Sequence, residues 1–137
     1  LEYLETLGVP VIGYKTEEFP SFYTTSSGFL VQSRLDSPND IAHCMKVKWD
    51  LGLDGGIVIG NPIEPKFSMD HKTIEEAINK ALIEAKKRNI AGKRVTQFLL
   101  EKINTLTQGK SLDSNISLIC NNARLGAKIS VAFQAQS

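Results

Sequence analysis

Two short apolar, β-branched runs, Val9–Tyr14 (VPVIGY) and Gly55–Pro62 (GGIVIGNP), each follow a helix-like stretch that stops at a glycine. This alternation constrains the fold more than any other feature of the sequence. A short run of this kind with no polar alternation reads as a strand buried on both faces, as when helices layer over a mostly parallel sheet. The expected class is α/β: a layered α/β/α arrangement with a mixed or mostly parallel sheet and a helix-rich C-terminal part.

The helical stretches carry their own signals. Leu1, Leu4 and Leu7 form one apolar stripe opposite Glu2 and Glu5, and Gly8 stops it. Ser37 reads as an N-cap, with Pro38 at the first helical position and Asp40 in the first turn. Ile41, Cys44, Met45, Trp49 and the stem of Lys48 then form the inner stripe, up to Gly52. From Lys72 to Arg88 the apolar residues Ile74, Ala77, Ile78, Ala81, Leu82 and Ala85 keep helical spacing, and Gly92 closes the unit. Thr96 to Thr107 repeats the pattern with Phe98, Leu99, Ile103 and Leu106 inward, ended by Gly109. Leu112 to Phe133 is apolar almost all round, which predicts burial in a core or in an oligomer contact. Lys15 to Gly28 reads as a structured loop, and Phe29 to Arg34 as a brief strand.

The charge balance excludes some partners. The 137 residues carry a formal net charge of +1, which leaves no strong electrostatic footprint for nucleic acid or an anionic membrane. The basic run Lys86-Lys87-Arg88 suits the negative end of a helix dipole. No apolar run approaches the ~20 residues of a membrane span. The opening residues LEYLE lack the basic start and apolar stretch of a secretory signal. Cys44 and Cys120 fall in helical segments and are expected as buried thiols of a reducing compartment. The expected location is the cytoplasm, with the mitochondrion or another organelle left open. The chain starts at Leu1, in what reads as the middle of a helix, and is expected to be part of something longer.

Catalytic motifs are absent. His43 and His71 have no second histidine or carboxylate at metal-ligand spacing, and the cysteines form no C-x-x-C pair. No nucleophile elbow, phosphate loop or dinucleotide fingerprint occurs. Three features remain. Thr24-Thr25-Ser26-Ser27-Gly28 offers hydroxyls and backbone N–H groups to an anion, or is a plain turn. Gly60-Asn61-Pro62 sits beyond the carboxyl end of a strand, where open α/β sheets bind ligands, or simply ends the strand. Asn115, Asn121 and Asn122 lie in an apolar helix. Buried amides need partners, so they contact ligand or build a structural amide network. Asn115 and Asn122, two turns apart, share a face; Asn121 points elsewhere. Asn115-Ile116-Ser117 matches a glycosylation sequon, which carries no weight without a secretory signal.

Three stretches together, in order, resemble the C-terminal part of the pseudouridine-5′-phosphate glycosidase, or indigoidine synthase A-like, family. They are LEYLETLGVPVIGYKTEEFPSFYTTSSG, DSPNDIAHCMKVKWDLGLDGGIVIGNPI and GKRVTQFLLEKINTLTQGKSLDSNISLICNNARLGAKIS. The resemblance implies an α/β enzyme, associating as a homotrimer, that hydrolyses the C–C glycosidic bond of pseudouridine 5′-phosphate to uracil and ribose 5-phosphate. It implies manganese or another divalent metal, a lysine forming a Schiff base with the ring-opened sugar, and a glutamate acid/base. An amine on C1′ pushes its lone pair in as such a bond breaks and leaves an iminium there.

In the family the Schiff-base lysine precedes the segment matching Leu1 to Leu7. The glutamate, the metal-binding aspartate and most phosphate contacts lie further upstream. The resemblance therefore implies that residues 1–137 are the C-terminal portion of one such domain, inactive alone, with no catalytic lysine and no metal ligand of their own. It gives Lys15 no catalytic place. It implies one substrate-contacting asparagine here, Asn115 by ungapped spacing, with Asn121 and Asn122 as the fallback. Two other possibilities stay open: the same fold acting in pigment biosynthesis, and a non-catalytic interaction domain whose contact surface is the last helix with Phe19, Phe22 and Tyr23.

Overall fold

The computed structural model describes residues 1–136. It holds helix α1 (Glu2–Thr6), strands β1 (Val11–Tyr14) and β2 (Ser33–Leu35), helix α2 (Pro38–Asp50) and strand β3 (Val58–Gly60). A 3-10 turn (Pro65–Phe67) leads to helices α3 (His71–Lys87), α4 (Arg94–Leu106) and α5 (Lys110–Gln134). The class is α/β. The strand order is β2-β1-β3, and both pairings are parallel.

The local signals explain most element ends. Ser37 Oγ accepts the Asp40 N–H at 3.1 Å and caps α2, with Pro38 at its first position. Gly8 and Gly52 close α1 and α2 in left-handed turns whose N–H groups reach back into the last helical turn. Two other ends differ from expectation. Asn89 (φ 52°) and Gln108 (φ 52°), ahead of the also left-handed Gly92 (φ 61°) and Gly109 (φ 89°), take the first left-handed position after α3 and α4. The Ile90 N–H still bonds the Ala85 carbonyl, and the Gly109 N–H the Asn104 carbonyl, so the closing geometry outweighs the residue preference. Asp70 caps α3 by accepting the Thr73 N–H at 2.8 Å, which places His71 in the first turn rather than in the preceding loop.

The strand expected over Phe29–Arg34 lies later, at Ser33–Leu35. The residues before it pair elsewhere: the Phe19 N–H bonds the Phe29 carbonyl and the Val31 N–H bonds the Glu17 carbonyl, at 2.7 and 2.9 Å.

Two cores form. In the first, Ile41 of α2 meets Leu125 and Ile129 of α5, with Tyr14, Leu35, Met45 and Ile59 packed against them. Helices α2 and α5 thus cover one face of the sheet. In the second, Tyr23 packs among Ile74, Ala77 and Ala81 of α3 and Ile103 of α4. On the sheet face away from α2 and α5, the segment 16–31 crosses the carboxyl ends of β1 and β3. A Cβ on Gly13 would stand 2.2 Å from the Thr16 carbonyl, and one on Gly60 2.8 Å from Pro20 Cδ. Only glycine allows that approach.

Several side chains expected inward face out. Trp49, Leu82 and Leu106 are exposed, although the Trp49 ring meets Phe133 edge-on at 5.4 Å. Helix α5 buries one stripe (Ser111, Ser114, Leu118, Leu125, Ile129, Ala132) and exposes Leu112, Ile116, Ile119 and Val131. Both cysteines are free, but Cys44 is half-buried and Cys120 exposed, because Cys120 falls on that outer face. Among the described residues no helix is long and apolar enough to cross a membrane.

Candidate functional site

The carboxyl ends of β1 and β3 lie side by side, Gly13 in register with Gly60. The chain leaves β3 through Asn61-Pro62. Proline restricts the residue before it to extended backbone, so Asn61 projects from a defined position. Helix α5 passes this turn and supplies two consecutive amides. Asn122 Oδ1 accepts from Asn61 Nδ2 at 2.9 Å, and Asn121 Nδ2 donates to the Pro62 carbonyl at 3.3 Å. The two features that stood apart in the sequence, the Gly60-Asn61-Pro62 turn and the NNA motif, are therefore one constellation.

Asn115 lies two turns nearer the start of α5. It is half-buried and has no hydrogen-bond partner among the described residues. Next to it, Ser114 Oγ donates to the Phe67 carbonyl at 2.7 Å and fixes this end of α5 to the 3-10 turn. Asn115 is thus a free carboxamide on a fixed backbone.

The Thr24–Gly28 segment does hold an anion, and the anion is the chain's own. Glu18 Oε2 accepts the Ser27 and Gly28 N–H groups at 3.0 and 2.9 Å, and the Ser26 hydroxyl. These donors, the Ser26 hydroxyl foremost, hold the Glu18 carboxyl below its ordinary 4.5. Sequence spacing could show the donors but not that a carboxylate eight residues earlier fills them.

The lysines near the sheet each meet a partner within the chain. The ammonium of Lys15, at the end of β1, lies 5.3 Å from the Tyr14 ring centroid. Lys48 is buried, and its ammonium donates to the Leu53 and Asp54 carbonyls beyond the end of α2. Tyr23 is buried beside Ser111, and burial raises its phenol above 10.0.

A groove of about 790 Å³ runs between the Glu64–Asp70 segment and the start of α5. Of its cations Lys66, Lys110 and Arg124, Lys66 and Arg124 reach the Glu64 carboxylate, at 3.1 and 3.8 Å. Asn115 does not line it. His43 and His71 lie on different helices, His71 3.7 Å from Glu75. Among the described residues no three His, Cys, Asp or Glu side chains gather as metal ligands.

The sequence pattern of the family described as Indigoidine synthase A like protein matches residues 1–132. The chain is 58% identical over 131 residues to a pseudouridine-5′-phosphate glycosidase of Caldanaerobacter subterraneus, covering 96% of this chain and 43% of that protein. It is 55% identical over 136 residues to one of Petrotoga mobilis, covering 99% and 44%. Among solved structures it is similar to a prealnumycin C-glycosynthase in complex with ribulose 5-phosphate (TM-score 0.86, 29% identity, 99% of this chain and 46% of that one). It is also similar to an indigoidine synthase A-like protein of Thermotoga maritima (TM-score 0.80, 28% identity, 99% and 44%). The chain thus spans less than half the length of these relatives. It belongs to the indigoidine synthase A-like family.

Proposed function

We propose that residues 1–137 are the C-terminal portion of a pseudouridine-5′-phosphate glycosidase, which cleaves the C–C glycosidic bond of its substrate to uracil and ribose 5-phosphate. The observation that carries this is the identity of 55–58% to proteins of that name over nearly the whole chain. The covalent step belongs to a lysine outside these residues. Its amine attacks C1′ as the C1′–O4′ bond opens. The C1′–C5 bond then breaks with its electron pair going to C5, which takes up a proton to give uracil, and the nitrogen lone pair leaves an iminium at C1′ that water hydrolyses to ribose 5-phosphate. The acid/base glutamate also lies outside.

What this chain contributes is positioning. Asn115, held by the Ser114–Phe67 bond beside it and with its own amide free, donates to or accepts from the base or ribose. Asn122 and Asn121 are the second choice for that contact. A divalent cation, manganese by family resemblance, would be bound outside residues 1–137 and would supply charge stabilisation. The full-length protein is proposed to be cytoplasmic and a homotrimer. The outward apolar residues of α5, Ile116 and Ile119 among them, are surface that assembly or the rest of the polypeptide would cover.

A second reading, C–C bond formation on the same fold in pigment biosynthesis, is favoured by the likeness to a C-glycosynthase. One experiment separates them. The full-length protein is incubated with pseudouridine 5′-phosphate and free uracil is measured. Uracil release supports the glycosidase. Its absence under the same conditions, with the protein folded and supplied with manganese, favours the second reading.

A further inference from the structure

The Asn61–Asn122 pair holds more hydrogen-bonding capacity than it uses. A carboxamide has two N–H donors and an oxygen with two lone pairs. Their mutual bond takes one N–H of Asn61 and one lone pair of Asn122. Among the described residues neither side chain has another partner. The oxygen of Asn61, which is half-buried, and the NH2 of Asn122, which is exposed, therefore remain open. Exchanging N and O on both amides would leave the same complement, one open acceptor next to one open donor.

The pair is also held in place. Asn61 is fixed by the following proline and by the Asn121 amide on the Pro62 carbonyl. Gly60 lets Pro20 press against the strand end just before it. The pair stands beyond the carboxyl end of β3, where open α/β sheets take their ligands.

We infer that Asn61 and Asn122 together read the ureido edge of the uracil ring. This deepens the glycosidase reading and rests on it. In pseudouridine the sugar is attached at C5, so the edge remote from the sugar carries N1–H, the C2 carbonyl and N3–H. An acceptor beside a donor matches one ring N–H and the C2 oxygen. Asn115 lies seven residues along α5, about 10.5 Å at the helical rise, and so addresses a different part of the nucleotide, on the ribose side. The pair is a specificity determinant and takes no part in bond breaking.

The test uses the full-length protein and steady-state kinetics on pseudouridine 5′-phosphate and its N1-methyl and N3-methyl derivatives. The unmodified protein is expected to lose at least about tenfold in kcat/KM on one methylated substrate, since a site built to bond an N–H rejects its absence. Asn61→Ala and Asn122→Ala should raise KM for the parent substrate and bring the parent-to-methyl ratio toward one. A pair that merely ties α5 to the turn would lower the melting temperature and leave that ratio unchanged. Equal turnover of all three substrates by the unmodified protein, which needs no variant, or an unchanged ratio in both variants, overturns the inference. If the unmodified protein releases neither uracil nor a methyluracil from any of them, the glycosidase reading fails instead.

Discussion

Gly13 and Gly60 stand opposite each other on β1 and β3, and both turn their missing side chain toward the segment that crosses the sheet. The obstacle at Gly13 is the Thr16 backbone and at Gly60 the Pro20 ring. Overpacking of a fixed core costs about 1–3 kcal/mol. Gly13→Ala should reach or exceed the upper end, because backbone must move. Gly60→Ala should cost less. Thermal unfolding of the full-length protein checks the order, and equal effects would show that the crossing segment is loosely held.

Ile41 is fully buried between α2 and α5, while Leu82, on an apolar helical stripe, is exposed. Ile41→Ala should destabilise by about 2–5 kcal/mol and Leu82→Ala by less than about 0.5 kcal/mol. Chemical denaturation of the full-length protein measures both. If another part of the polypeptide covers Leu82, its cost will rise toward that of Ile41.

The Glu18 carboxyl is held below its ordinary value of 4.5 by the Ser26 hydroxyl and the Gly28 and Ser27 N–H groups. A depressed folded-state value stabilises the fold above the unfolded value and loses that contribution as pH falls through the folded one. Amide exchange at Ser27 and Gly28 should therefore accelerate relative to neighbouring amides as pH drops below 4.5. Glu18→Gln should remove that acid-side dependence.

Asn115 has a free amide and no structural bond among the described residues. Asn115→Ala should leave the melting temperature within a degree or two, as expected of a change below about 0.5 kcal/mol. It should lower kcat/KM for pseudouridine 5′-phosphate by about tenfold, the equivalent of one hydrogen bond. Full activity in this variant would pass the role to Asn121 or Asn122.

Features written within a few residues were legible in sequence. The Ser37-Pro38 start of α2, the β1 and β3 runs and the Ile74, Ala77, Ala81 and Ala85 stripe of α3 appear where the spacing places them, while Leu82 of that stripe faces out. Features that depend on what comes to rest nearby were not. The anion in the Ser26–Gly28 turn is Glu18, and the partner of Asn122 is Asn61, 61 residues away. The early half of the Phe29–Arg34 run pairs with residues 17–19 because those strand-like residues found a nearer edge. An apolar pattern around α5 shows that both of its faces want cover, and the structure shows which one α2 and the sheet provide.

The central claim is that this chain positions the substrate of a glycosidase whose covalent lysine lies elsewhere. Borohydride reduction of the full-length protein during turnover of pseudouridine 5′-phosphate fixes any iminium as a stable amine. Peptide mass spectrometry then locates it. The expected result is a ribose phosphate adduct on a lysine outside residues 1–137, with none on Lys15 or Lys48. An adduct on any lysine within residues 1–137 would contradict the account.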